Sequence, residues 1–270
     1  MTSAIDPSDL AAYRRRLGFD GRLPADLETL RALQVAHLRA VPFENSSVLF
    51  GEPIPMDAGA FVRKVGLAGR GGFCYELNGA FAALLRDAGF EVDLLEARVH
   101  NDGGVLGPRF DHLALRVTLE DCWLVDVGFG YSFTEPLRLG TDAEQQDPAG
   151  AFRFVETGDG TDLEWRHRDG AWRGHYRFFP EPRDLIEFGE TCEFQRSSPD
   201  SPFTGGWMCS RNQDDGAITL YRRHFIATRG DEREERTLDD ADVPGVLADR
   251  FGIATRLVGD RWVSGSSGSG

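Results

Sequence analysis

The chain predicts an α+β fold in three units. These are an N-terminal helical bundle over residues 1–90, a central antiparallel β-sheet or barrel over 91–195, and a C-terminal α/β lid over 196–262, with a flexible tail at 263–270. Two observations carry the prediction. Apolar residues of the first third recur at three- and four-residue steps, the period of one helix face. From about residue 91 the period falls to two, and Gly158-Asp159-Gly160 and Asp169-Gly170 supply hairpin turns.

After Pro24, the residues Leu27, Leu30, Leu33, His37 and Val41 keep helical spacing, and the helix must stop before Pro42 because the residue preceding a proline is pushed toward extended geometry. His37 lies on that apolar stripe and is read as a packed side chain. A second helix carries Leu77, Phe81, Leu84 and Leu85, stops at Gly89 and therefore starts near Cys74. Val92 and Leu94 open the β region. The stretch Asp111 to Leu119 buries Leu113, Leu115, Val117 and Leu119 on one strand face, which leaves His112, Ala114 and Arg116 on the other, polar face. Residues 217–221 and 224–228 read as strands, and 241–248 opens a helix. The mixed-sign run from Arg229 to Arg236 reads as a solvated turn. Ser264 to Gly270 has the composition of a flexible linker.

Composition narrows the classes of function. With 270 residues, 41% hydrophobic and 27% charged, the chain is an ordinary soluble globular protein. A net charge of -14 disfavours nucleic acid, whose phosphates call for a clustered basic surface. The four cysteines, Cys74, Cys122, Cys192 and Cys209, have no C-x-x-C spacing, so no zinc site, no other metal and no disulfide framework is expected. Reduced thiols, an N-terminus without a basic and apolar leader, and no bilayer-length apolar run together predict a soluble cytoplasmic protein that does not engage a membrane.

The chemistry concentrates in Gly71-Gly72-Phe73-Cys74-Tyr75-Glu76-Leu77-Asn78. Lone cysteines are commonly buried structural residues, but here two glycines deliver the thiol to the first turn of a helix. Partial positive charge and free N–H groups there make a thiol easier to ionise. A thiolate nucleophile needs a base, and His112 at the start of its strand supplies one. The apolar run Cys122 to Gly130 is broken by one carboxylate, Asp126, which burial would penalise unless something bonds to it. Bonded to the histidine ring, it would orient the imidazole and stabilise the imidazolium.

Val41-Pro42-Phe43-Glu44-Asn45, Arg70 to Asn78, Phe110-Asp111-His112, Val125 to Gly130 and Ser201-Pro202-Phe203-Thr204 together resemble the arylamine N-acetyltransferase family. That family is built on a cysteine-protease-like catalytic core. The resemblance covers the first half of the chain and thins to one fragment beyond about residue 135. It implies acetyl transfer from acetyl-CoA to an aromatic amine or hydrazine by a ping-pong route, with Cys74 as nucleophile, His112 as base and Asp126 as orienter. It further implies a structural ion pair between Arg70 and Glu44, a structural hydrogen-bonding role for Asn78, and an acceptor pocket lined by Phe43, Val99, Phe129, Gly130 and Phe203. For the CoA phosphates, the candidates are backbone N–H groups of the loop Gly103 to Arg109, in particular Gly104 and Gly107, together with Arg109; Phe203 and Thr204 are further expected CoA contacts. Two rivals share the triad: a cysteine hydrolase of the peptidase or transglutaminase kind, and an amide synthase that closes macrolactams from a carrier-bound thioester.

Overall fold

Helix periodicity in the first third is met by α1 (Pro7–Arg16), α2 (Leu27–Ala40), the two-residue β1 (Phe43–Glu44), α3 (Ser46–Phe50), α4 (Ala58–Gly66) and α5 (Cys74–Asp87). The computed structural model describes residues 5–101, 103–166, 170–230, 232–259 and 261–265. Asp26 caps α2 by accepting from the Thr29 amide at 2.8 Å, and the helix ends at Ala40, as the approaching Pro42 requires. His37 is fully buried, bonded through Nδ1 to the Tyr13 hydroxyl at 2.5 Å, and burial pushes its pKa well down, so it is a neutral packed side chain. Helix α5 is buried along nearly its whole length. Leu77, Phe81, Leu84 and Leu85 pack with Leu113, Leu115 and Val117 in the largest apolar cluster.

The period of two resolves into β2 (Glu91–Val99), β3 (His112–Thr118), β4 (Cys122–Val125), β5 (Leu137–Arg138), β6 (Gln145–Asp147), β7 (Gly150–Glu156), β8 (Thr161–Arg166) and β9 (Trp172–Arg183). They form one antiparallel sheet in the order β5-β4-β3-β2-β9-β8-β7-β6. Its two ends meet where the Gln145 side chain bonds the Arg138 amide at 2.8 Å and carbonyl at 3.0 Å, giving a nearly closed barrel. The turn at Gly158 to Gly160 joins β7 to β8 as expected; of the second turn signal, Asp169 lies outside the described residues. One expectation is corrected here. The face of β3 bearing His112 and Ala114 is not polar, because Ala114 packs inside the barrel with Leu95, Leu124, Phe152 and Tyr176 while Leu113 and Leu115 face the helices. Both faces are covered, so no solvated side exists along most of the strand.

A 3₁₀ turn (Leu185–Phe188) and α6 (Gly189–Ser197) lead to β10 (Met208–Gln213), β11 (Gly216–Tyr221), β12 (His224–Arg229), β13 (Glu232–Thr237), α7 (Val243–Phe251), β14 (Thr255–Val258) and β15 (Arg261–Ser264). The sheet order β1-β10-β11-β12-β13 makes β1, from the helical region, an edge strand of the lid. Trp207, Leu220, Phe225, Leu247 and Phe251 form the lid's own core. The expected solvated turn over Arg229 to Arg236 is instead mostly strand: β13 pairs in register with β12, and every one of its side chains is exposed. Charge made the segment look like a loop, but an edge strand needs backbone partners on one side only. Of the expected linker tail, residues 266–270 lie outside the described residues. Among the described residues, no helix is long and apolar enough to cross a membrane.

Candidate active site

Cys74 is the first residue of α5, preceded by Phe73 in extended geometry. Glu76 reaches back to the Phe73 amide at 3.3 Å and is held by Lys64 at 2.6 Å. The glycine pair is steric in origin. A side chain at Gly71 would put Cβ 2.0 Å from the Pro42 carbonyl oxygen, and one at Gly72 would meet Glu76 Oε2 at 2.7 Å. Only bare backbone lets the loop pass beneath β1 and enter the helix there.

The thiol is buried, 4% exposed. Burial pushes its pKa well up, the Leu113 amide pulls it down, and the carboxylates of Asp111 and Asp126 push it up again. The expectation of a thiol acidified by the helix start is thus corrected: desolvation prevails, so a stable thiolate needs its proton to stay close by on a base. His112 is the candidate. Its Nε2 bonds Asp126 Oδ2 at 2.7 Å, both side chains are buried, and Nδ1 is left as the nitrogen for proton exchange. The ring is flanked by Phe129 at 5.3 Å and Tyr176 at 5.1 Å.

Asp126 is compensated for its burial. Its Oδ1 accepts from Asn78 Nδ2 and from the Gly128 amide, each at 2.8 Å. Burial pushes its pKa up, but the imidazole, Asn78 and the Gly128 amide outweigh that and hold it below the usual carboxylate range. Asn78 also donates to the Leu113 carbonyl at 2.6 Å and accepts from the Val127 amide at 3.0 Å, tying α5 to the strands on which His112 and Asp126 stand. Gly128 allows that closeness, since a Cβ there would lie 2.7 Å from both Cys74 Cα and Asn78 Nδ2. A buried thiol, an imidazole and a carboxylate bonded to it are the groups that acyl transfer through a thioester needs.

The model of the family described as N-acetyltransferase matches residues 26–258. The arylamine N-acetyltransferase of Mycolicibacterium smegmatis is 36% identical over 254 residues, covering 91% of this chain and 92% of that protein. This chain belongs to the arylamine N-acetyltransferase family. The Escherichia coli arylamine N-acetyltransferase is 34% identical over 257 residues, covering 89% of this chain and 87% of its own. The structure of the Mycobacterium marinum arylamine N-acetyltransferase in complex with CoA superposes with a TM-score of 0.84 at 33% identity, covering 90% of this chain and 92% of that one.

Other arylamine N-acetyltransferase positions expected from sequence fall into place unevenly. Phe43, Val99, Phe129, Gly130 and Phe203 are all half-buried. Phe203 packs against Phe43 at 6.3 Å and Phe73 at 5.3 Å, while Phe129 lies on His175 at 3.9 Å. The expected pair of Arg70 with Glu44 does not form. Arg70 runs outward to Glu52 at 2.7 Å and to the hydroxyls of Ser46 and Ser47, whereas Glu44 turns inward and accepts from the Ser46 amide. Position 52 carries no local pattern that would have marked it as the partner.

The glycine-rich loop also departs from expectation. The Gly103 and Val105 amides bond Asn101 Oδ1, the Gly104 amide bonds the Asn101 carbonyl and the Gly107 amide bonds the Val99 carbonyl. These donors are consumed within the hairpin and do not form an open phosphate cradle. Arg109 is paired with Glu96 at 3.0 Å, though its side chain stays 64% exposed. Thr204 gives its hydroxyl to the Ser198 and Ser201 carbonyls. Beyond Gly130, a cleft of about 1110 Å³ opens between the barrel and the lid, with Tyr131, Trp165, Arg39, Arg166 and Asn212 in its walls; no local pattern of residues marks it.

Proposed function

We propose that this chain transfers an acetyl group from acetyl-CoA to an arylamine, arylhydrazine or N-hydroxyarylamine through a thioester on Cys74. The observation that carries the reading is the buried His112–Asp126 pair at 2.7 Å, tied through Asn78 to the helix that Cys74 begins. The reaction runs in two halves. Cys74 gives its proton to His112 Nδ1, and the thiolate attacks the acetyl carbonyl. The C–S bond to CoA breaks, and the departing CoA sulfur takes the proton from the imidazolium. The amine then attacks the cysteine thioester, its excess proton passes to His112, and the C–S bond to Cys74 breaks to return the free thiol. Asp126 holds the ring in the required tautomer throughout.

Phe43, Val99, Phe129, Gly130 and Phe203 are proposed to line the acceptor pocket, where flat aromatic amines match aromatic walls. For CoA the proposal retains Phe203, Thr204 and the exposed side of Arg109, and gives the cleft beyond Tyr131 to the nucleotide end; Gly104 and Gly107 would act through loop shape, since their amides are engaged. Glu44, Arg70 and Asn78 act in support. The net charge of -14 speaks against a nucleic-acid partner, and four free cysteines support a cytoplasmic setting. The test is intact mass after mixing with acetyl-CoA alone. One acetyl adduct on Cys74, discharged by a simple arylamine, is expected. No adduct on a Cys74 still open to alkylation overturns the reading in favour of the amide synthase or the hydrolase.

A further inference from the structure

Asp111, the neighbour of His112, has both carboxylate oxygens engaged. Oδ2 accepts from the Val99 amide at 3.4 Å, and Oδ1 accepts from Gln195 Nε2 at 2.9 Å. Gly107 makes room for this carboxylate, because a Cβ there would lie 2.3 Å from Oδ2. Gln195 is 4% exposed, and its Oε1 and backbone carbonyl both lie 2.8 Å from the Ser201 hydroxyl, which donates to them. Ser201 Oγ in turn accepts from the Phe203 amide at 3.1 Å. The Phe203 carbonyl is held separately by Asn45 Nδ2 at 2.7 Å. A continuous path of side chains therefore runs from the strand carrying His112, across α6, to the backbone of Phe203.

The geometry of this path is directional. A buried amide with a carboxylate at its NH₂ and a hydroxyl at its oxygen has one satisfied orientation. The hydroxyl has one hydrogen to give and its lone pairs left to receive the Phe203 amide. With the amide and carbonyl of Phe203 both held, the ring has little freedom beyond its own torsions. Val99, the other wall residue tied to Asp111, is fixed from the same carboxylate.

We propose that Asp111, Gln195 and Ser201 form a positioning relay that fixes Phe203 and Val99 relative to the base strand and thereby sets which aromatic amines the acyl-enzyme accepts. The proposal rests on the acceptor pocket proposed above. The relay touches no reacting atom, so it acts through the shape of the pocket; because Phe203 is also proposed at the CoA site, the discriminating readout is the ratio between two acceptors, which acyl loading common to both does not alter.

The test compares wild type with Ser201→Ala, Ser201→Thr and Gln195→Leu, using rapid-quench mass measurement of acyl loading from acetyl-CoA and steady-state discharge to aniline and to 4-butoxyaniline. In Ser201→Ala and Gln195→Leu, the aniline to 4-butoxyaniline ratio of kcat/KM should change by about fivefold, mainly through KM and whatever the change in loading, the size of one lost hydrogen bond. Ser201→Thr, which keeps the hydroxyl, should restore the wild-type ratio. Should Gln195→Leu fail to fold, Ser201→Ala decides alone, since it removes a single oxygen. An unchanged ratio in Ser201→Ala, with or without a fall in loading, overturns the relay. A wild type that takes no acetyl group from acetyl-CoA overturns the function itself, a result distinct from either.

Discussion

Asn78 Nδ2 lies 2.8 Å from Asp126 Oδ1, so the helix that begins with the thiol also holds the carboxylate that orients the imidazole. The proposed nucleophile starts that helix, and the proposed orienter, in the segment just after β4, is tied to it by this bond. Asn78 is fully buried and serves three partners: Asp126, the Leu113 carbonyl and the Val127 amide.

Replacing Asn78 by Ala should therefore do two things together. It leaves a buried carboxylate oxygen, a carbonyl and an amide each short of a partner, a loss of about 2–3 kcal/mol in urea unfolding. Acyl loading should fall as well, because the ring of His112 loses its support. A variant of unchanged stability and loading would remove Asn78 from the site.

Acid stability should report Asp126. Its folded pKa lies below the ordinary carboxylate value, so the unfolded chain takes up the proton first. The stabilisation is fully present above the unfolded pKa of about 3.9 and is lost as pH falls through the lower folded value. Asp126→Asn should be less stable at pH 7 and show a shallower decline below about pH 4 in urea titrations; a decline as steep as wild type would refute the assignment.

Alkylation of Cys74 by iodoacetamide should depend on His112. With burial pushing the thiol up, His112→Ala leaves no acceptor for its proton. Its alkylation rate at pH 7 should drop about 100-fold and rise only above the ordinary thiol range of about 8.5. Equal rates in the two proteins at pH 7 would mean that the thiol ionises without the imidazole.

Gly128→Ala tests the close approach of β4 to α5. With 2.7 Å between the new Cβ and Cys74 Cα, backbone must give way, at about 1–3 kcal/mol of stability. Loading should suffer more than this loss predicts, because the displaced atoms belong to the nucleophile's own residue. A stable and fully active variant would show that the strand can shift freely.

A double-mutant cycle separates the two candidate partners of Arg70. Arg70→Ala with Glu52→Ala should show a coupling of up to about 1 kcal/mol, modest because both side chains are about a third exposed. Arg70→Ala with Glu44→Gln should be additive. Coupling in the second cycle and not the first would restore the pair expected from sequence.

What the sequence revealed was local. Cys74, His112 and Asp126 each sit in a short pattern whose periodicity marks helix or strand, and one carboxylate in an apolar run marks its own need for a partner. Partners distant in the chain left no such trace. Glu52 is one acidic residue in a turn, and Gln195 an uncharged residue on a polar helix, yet the first holds Arg70 and the second bridges Asp111 to Ser201. The loop Gly103 to Arg109 failed differently. Glycine content signals available amides, but Asn101 and Val99 absorb them, and only coordinates reveal who bonds whom.

β13 has one further consequence. Its sequence from Glu232 to Thr237 is nearly palindromic in charge, and its outer edge adds no strand within the sheet. Two copies zipped together antiparallel about the centre of this strand would set Arg233 against Arg236 and Glu234 against Glu235, like charge opposite like. The rim of the lid is thereby proofed against its own duplicate: the last strand ends the sheet by being a poor template for itself.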